Sequence, residues 1–300
     1  MNAIDVQPVF SLNSLDRMDH LRDGIEAARL TGKNRHSDQY LLLCQGNVLV
    51  SKTHQACFFS ANELKDTLLN DTLCVFLGGK DQSHYFSLAV PADLAEAYDL
   101  VPLRTFVVDK MLVDKDLGML AEANSLLCWH QSHAFCACCG TQSVVAHGGW
   151  RRDCPSCATE HFPRIDPVVI MLVTYGDKCL LGRGHQFPER VFSCLAGFME
   201  PGETIEQAAL RELWEEAGVK GIKADYLLDQ PWPFPSNLMI GVHIEAQDDS
   251  LNIDHNELDE AIWVTKSEVK EVLSGDNDQH FLLPPRLAIA RNLLEHWVDA

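Results

Sequence analysis

Two Cys-x2-Cys pairs, Cys136–Cys139 and Cys154–Cys157, stand fourteen residues apart and constrain this chain more tightly than any other feature. Each pair turns the backbone so that two sulfurs aim at one point. Gly140 permits the tight turn after the first pair. Four thiolates so spaced suit a closed tetrahedral zinc site, one Zn²⁺ per chain, structural because no coordination position is left for a substrate. Cys138 falls outside the pattern. The chain has 11 cysteines. An odd count without an export signal argues against a disulfide framework. The flanking His130, His133 and His161 read as packed or solvated side chains. Arg151 and Arg152 are too few to make the ribbon a nucleic-acid surface.

Length and charge narrow the remainder. A chain of 300 residues with 46% hydrophobic content suits two or three domains with real cores. No apolar run approaches the ~18–20 residues of a membrane span. The start, "MNAIDVQPVFSLNSLDRMDH", lacks the basic-then-apolar order of a secretory signal, so a cytoplasmic protein with no membrane partner is expected. The net charge of -19, from 24 basic and 43 acidic residues, disfavours bulk nucleic acid and leaves acid available for divalent cations.

Along the chain, residues 1–130 read as a mixed α/β unit. "YLLLCQGNVLVS" gives strand, Gly-Asn turn, strand. "LCVFLGGKDQSHYFSLAV" reads the same way with a longer loop, and "DKDLGMLAEANSLLCWHQ" has helical apolar spacing at Leu117, Leu120 and Leu127. Residues 131–163 form the zinc ribbon. Residues 164–300 alternate apolar strands with helices at 204–217 and in "PRLAIARNLLEHWVD", an α/β pattern.

The first of those helices is acidic. Thr204 with Gln207 makes a capping box and Gly218 a C-terminal stop, giving a helix over 205–217. Leu210, Leu213, Trp214 and Ala217 share one arc, read as the core face. Glu212, Glu215 and Glu216 converge on another, above Ile205, Ala208 and Ala209. Such carboxylates, without thiol or imidazole partners, are the donor set of Mg²⁺ or Mn²⁺.

The surrounding stretch, "GFMEPGETIEQAALRELWEEAGV" (197–219), fits G-x5-E-x7-R-E-U-x-E-E-x-G-U, with U apolar, at every fixed position: Gly197, Glu203, Arg211, Glu212, Leu213, Glu215, Glu216, Gly218 and Val219. In this the chain resembles the Nudix hydrolases. Downstream, "DQPWPFPSN" (229–237) sets Trp232 and Phe234 among Pro231, Pro233 and Pro235, an arrangement read as a stiff extended strip that pre-organises aromatic faces. It resembles the S-Q-P-W-P-F-P-x-S signature of the NADH pyrophosphatase branch, with Asp229 and Asn237 in place of the two serines. That branch also carries a four-cysteine ribbon before its Nudix domain.

The resemblance implies an α/β (α+β) Nudix fold, a mixed sheet between helices, preceded by a ribbon and an N-terminal mixed α/β domain. It implies hydrolysis of NAD(H) to AMP and nicotinamide mononucleotide, and removal of NAD caps from RNA 5′ ends. Catalytic roles fall to Glu203, Arg211, Glu212, Glu215 and Glu216; which glutamate is the base stays open. Magnesium or manganese would be held by the Ala196 carbonyl, Glu212, Glu215, Glu216 and Glu257. Substrate contacts are implied for Arg104, Phe162 (where the branch often has Tyr), Phe198, Gln230, Pro231, Trp232, Pro233, Phe234, Pro235, Ser236, Asn237 and Ala290. Members of the branch are similar in forming homodimers. Two other readings compete: a broader diphosphatase acting on ADP-ribose or dinucleoside polyphosphates, and a non-catalytic RNA-binding sensor.

Overall fold

The computed structural model of the chain describes residues 8–25, 37–53, 57–109, 114–276 and 278–300. The start of the N-terminal stretch read for an export signal lies outside them. The described residues divide into two compact units: Ile165–Trp232 with Asn237–Ala300, and Phe10–Arg164 with Pro233–Ser236.

In the second unit, β1 (Gln39–Cys44) and β2 (Asn47–Val50) pair antiparallel. The turn between them is Gln45-Gly46, both left-handed, rather than Gly-Asn. β3 (Phe58–Ser60) adds to β1. After α1 (Asp66–Asp71), β4 (Cys74–Lys80) and β5 (Ser83–Ala89) are joined by only two residues, Asp81 and Gln82, again both left-handed. The longer loop expected there is replaced by the two-residue turn whose twist matches that of the strands. The short α2 (Ala92–Ala95), β6 (Asp99–Pro102), α3 (Leu103–Val108) and α4 (Asp114–Ser132) follow. The sheet order is β4-β5-β1-β2-β6. Leu117, Leu120 and Leu127 of α4 are buried, as their spacing predicts.

The ribbon, β7 (Val144–Ala146), β8 (Arg151–Asp153) and β9 (Glu160–His161), is part of the same unit. Trp150 Nε1 donates to Phe76 O at 2.7 Å, and His130 Nε2 meets Gly149 O at 2.8 Å. Arg152 is buried, donating to Ser143 Oγ at 2.8 Å and to His130 Nδ1 at 2.9 Å. With Nδ1 accepting, the ring is neutral. Burial first, and the Arg152 charge, hold His130 down at about 4. Arg151 pairs with Asp153 and Glu160.

The first unit is a sheet of order β13-β14-β10-β11-β15, with β12 on β10. These strands are β10 (Asp166–Tyr175), β11 (Lys178–Gly184), β12 (Leu195–Phe198), β13 (Gly221–Trp232), β14 (Asn237–Ala246) and β15 (Leu258–Thr265). β10 and β14 run parallel and the other pairs antiparallel, giving a mixed sheet. α5 (Ile205–Ala217) covers one face, while α6 (Lys266–Leu273) and α7 (Ile289–Asp299) cover the other. β10 is therefore buried on both sides. Val169, Met171 and Val173 point to α5, and Ile170 and Leu172 to α7. This explains why "VVIMLV" is continuously apolar rather than alternating. The residues before Ile289 form a turn, so the C-terminal helix begins later than "PRLA" suggests.

Candidate active site

α5 has the predicted bounds and caps: Thr204 Oγ1 accepts from Gln207 N, and Gly218 is left-handed (φ 67°). Its buried face keeps Leu213 and Ala217 of the expected arc, with Leu210 packed against the same core, but not Trp214. Ala208, Ala209, Glu212, Leu213, Glu216 and Ala217 are buried, whereas Trp214 is exposed and has Lys220 over its ring. The stripe against the sheet thus runs Ala208–Glu212–Glu216 beside Ala209–Leu213–Ala217, an i, i+4 ladder. The three carboxylates, expected on an arc separate from the core face, divide: Glu212 and Glu216 are buried and Glu215 is exposed. Ala208, Ala209, Leu213 and Ala217 pack on this side of the sheet, with Ile205 and Leu210 against them, and the indole is left outside.

Glu212, Glu216 and Glu257 gather, with one oxygen from each lying within 4.8 Å of the others. Glu257 comes from the turn before β15. That turn is tied to the end of α5 by Asn252 N→Ala217 O at 2.8 Å and Asp254 N→Glu216 O at 2.9 Å. Glu216 Oε2 is buried without a partner among the described residues. Burial, then the charges of Glu212 and Glu257, push the Glu216 carboxyl up to about 8. Three hard oxygen donors, one with an unsatisfied buried lone pair, fit a divalent cation such as Mg²⁺ or Mn²⁺. Gly197 makes room for them, since a Cβ there would overlap the Glu212 carboxyl. Ala196 is its neighbour in β12.

Glu215 lies apart from this group. It is half exposed and held by Arg211 Nη1 at 2.9 Å. Arg211 also donates to Glu203 through Nε and Nη2, to Glu212 Oε1 at 2.8 Å and to Phe198 O at 2.9 Å. The planar guanidinium therefore bridges the loop, β12 and α5, a task its fork geometry suits. The bidentate pairing holds Glu203 down at about 2.

Cross-strand register puts Gln230, Met239, Val168 and Phe198 in one row. Met239 packs into the core under α7, so this row faces α7, and Trp232 follows two residues beyond Gln230. Phe198 is exposed; Gln230 is fully buried, donates to Leu287 O at 3.0 Å and leaves Oε1 without a partner among the described residues. Ala290 is packed inside that core rather than presented at a surface. Pro231 belongs to β13 and Asn237 to β14, but Pro233–Ser236 form the turn between them, with a cis Phe234–Pro235 peptide. The strip is extended only as far as Trp232, because antiparallel pairing of its two flanks demands a reversal. In the second unit, Asn124 Nδ2 donates to Pro233 O at 2.8 Å, Ser125 Oγ donates to Pro235 O at 2.9 Å, and Arg104 stacks over Phe234 at 4.4 Å. Phe162 is exposed there. Asp229 accepts the Tyr226 hydroxyl at 2.5 Å, a pairing for which the sequence carries no signal.

The ribbon cysteines also gather, their four sulfurs within 4.8 Å of one another. Cys136 and Cys157 are 3.6 Å apart, and Cys139 and Cys154 3.4 Å. The knuckles repeat each other: Gly140 N→Cys136 O is matched by Ala158 N→Cys154 O, and both Gly140 and Ala158 are left-handed. The set fits one tetrahedral Zn²⁺. Cys138 is exposed and outside it.

Residues 164–283 match the NUDIX domain family, 131–162 the NADH pyrophosphatase zinc ribbon domain, and 37–129 the NADH pyrophosphatase-like rudimentary NUDIX domain. The mixed-sheet fold, the acidic helix and the ribbon define one class: the chain belongs to the Nudix hydrolase family, in the division with an NADH pyrophosphatase ribbon. Among its relatives, NAD-capped RNA hydrolase NudC of Mycobacterium bovis (strain BCG / Pasteur 1173P2) is 35% identical over 326 residues, covering 99% of this chain and 98% of the relative. NAD-capped RNA hydrolase NUDT12 of Homo sapiens is 46% identical over 197 residues, covering 62% of this chain. The chain matches 43% of the length of that human relative.

Proposed function

We propose that this chain hydrolyses the pyrophosphate of NAD(H), giving AMP and nicotinamide mononucleotide, and that it removes NAD caps from RNA 5′ ends. The observation that carries the reading is the Glu212, Glu216 and Glu257 group with its unpartnered buried oxygen, set in a complete Nudix box. Glu212, Glu216 and Glu257 would hold a magnesium or manganese ion, which would supply positive charge against the pyrophosphate and make the attacking water more acidic. Around it, Arg211 fixes Glu203, Glu212 and Glu215 in one network. A box carboxylate accepts the proton of the attacking water, whose oxygen joins phosphorus as the P–O–P bridge breaks. Phe198 and Trp232 on the α7 face form the platform for a flat ring, and the Gln230 amide buried in the same row keeps only the contact implied by the resemblance. Arg104, Phe162, Pro231, Pro233–Ser236 and Asn237 keep the substrate roles implied by the resemblance, and the Ala196 carbonyl its metal role; Ala290, packed in the core, is left out.

Cap removal is supported by the names of the relatives. A cap gripped by metal and aromatics needs little backbone contact, so the charge of -19 does not oppose it. Among the described residues no helix is long and apolar enough to cross a membrane. A cytoplasmic homodimer is part of the proposal. Exposed Phe135, Val144 and Phe162 in the ribbon unit support self-association, which sedimentation would measure.

The test is a product-resolved assay with Mn²⁺ on NADH, NAD, ADP-ribose and NAD-capped RNA, using the parent and Glu216→Gln. Turnover should fall by orders of magnitude in the variant, while stability in chelator stays level or rises, because a neutral amide removes the cost of a carboxyl that burial pushes up to about 8. Near-normal turnover by Glu216→Gln would sink the reading, and preference for ADP-ribose would favour the broader diphosphatase.

A further inference from the structure

We propose that His185 is a positioning residue for the cation site, acting as a clamp on the turn that carries Glu257. The proposal rests on the metal-site reading above. Glu257 is the only member of the carboxylate group that is exposed and the only one off α5, so its place depends on how the 254–259 turn is held.

The inner side of that turn is fixed by backbone. Asp254 N donates to Glu216 O, while Glu257 N and Leu258 N both donate to Asp254 O, at 3.1 and 3.0 Å. Asp254 Oδ1 takes Asn256 N at 2.9 Å and Asn256 Nδ2 at 2.7 Å. Within the turn His255 Nδ1 lies 3.3 Å from Leu258 O, and on the outer side one imidazole reaches across both flanks of Glu257. His185 Nδ1 lies 2.5 Å from Asp259 Oδ1, and His185 Nε2 lies 3.1 Å from Asn256 O. These partners flank Glu257 in sequence, one residue before it and two after.

Both partners are acceptors. The ring engages both only with a proton on each nitrogen, as an imidazolium donating in two directions. Arg183 Nη1 holds the other oxygen of Asp259 at 2.8 Å, so that carboxylate is fixed between two cations. His185 itself follows directly on β11, where the register to β15 shifts between Arg183 and Gly184. The irregularity lets residue 185 leave the strand and fold back over the turn that β15 begins from. The side chain is half exposed, and among the described residues its hydrogen bonds go to that turn alone. A residue so placed contributes little to the core, and its two bonds serve to keep Glu257 aimed at Glu212 and Glu216.

The experiment titrates Mn²⁺ into the metal-free full chain, following free Mn²⁺ by electron paramagnetic resonance. It compares the parent, His185→Ala, Glu257→Ala and the double variant. His185→Ala should weaken Mn²⁺ binding on the order of 10-fold, as loss of a ligand-orienting partner does. Its unfolding midpoint in chelator should stay within about two degrees of the parent, as for a surface change. In the Glu257→Ala background, adding His185→Ala should change Mn²⁺ binding no further, because the residue acts through Glu257. Equal weakening in both backgrounds would show a general structural role and overturn the clamp, as would no weakening in the parent background. If Glu257→Ala leaves Mn²⁺ binding intact, the metal-site reading fails and the clamp with it. If Glu257→Ala weakens binding and His185→Ala does not, only the clamp fails.

Discussion

Gly197 of β12 lies directly against the carboxyl group of Glu212 on α5, with no space between them for even a methyl group. The glycine is there for close approach, not for a special backbone angle. Gly197→Ala should push the Glu212 carboxylate out of the group it forms with Glu216 and Glu257. Mn²⁺ affinity and NADH turnover should both drop by roughly 10–100-fold, as for a displaced ligand. Full activity of the alanine variant would show that Glu212 can act from another position.

Arg211 makes its contacts through a planar fork, and a lysine cannot reproduce them. Arg211→Lys should keep the charge yet lose the bidentate grip on Glu203 and the tie to Phe198 O. We expect turnover to fall at least about 10-fold at saturating Mn²⁺, with Glu203 rising from its depressed value. Unchanged kinetics would mean that charge alone suffices.

Much of this site could be read from sequence because its partners are close in the chain. Glu203, Arg211, Glu212 and Glu215 lie within thirteen residues; one helix turn relates Arg211 to Glu215, and Glu203 stands in the loop just before the helix. Glu257 lay far off and was reached only through resemblance. The His185–Asp259 and Tyr226–Asp229 pairs carry no pattern at all, since nothing local requires them. Trp214 was misplaced for a physical reason: a helical wheel ranks residues by hydrophobicity, while this sheet face selects by size and by the need to bury Glu212 and Glu216. The proline strip misled similarly, because φ restriction by Pro233 and Pro235 is as compatible with a hairpin turn as with an extended chain.

The zinc assignment separates two neighbouring thiols. Cys154→Ser should cost the protein its zinc and destabilise the ribbon, whereas Cys138→Ser should retain about one zinc per chain. Metal analysis of the two purified variants measures this, and zinc retained in full by Cys154→Ser would refute the four-cysteine site.

His147 offers a pH test. It lies 2.8 Å from Asp23 and 3.2 Å from Asp19, and the Asp23 hydrogen bond raises it above its ordinary 6.5. A histidine raised in the folded state stabilises fully below its unfolded value, and that stability is lost as pH climbs through the folded one. The parent should therefore lose a little stability from about pH 6.5 upward. His147→Asn, which tolerates the left-handed backbone there (φ 51°), should lack that slope. Denaturant midpoints at several pH values compare them; parallel curves would dismiss the pair.

The Ala208–Glu212–Glu216 stripe has a consequence outside catalysis. Where neighbouring turns seat alanine and leucine against the sheet, this helix seats two carboxylates, so cation occupancy becomes a variable of folding. A cation binding the folded form alone adds about 2.7 kcal/mol when present at ~100 times its Kd. The lifetime of the folded chain would then track the divalent supply of its surroundings, and starvation for metal would remove the protein as well as silence it.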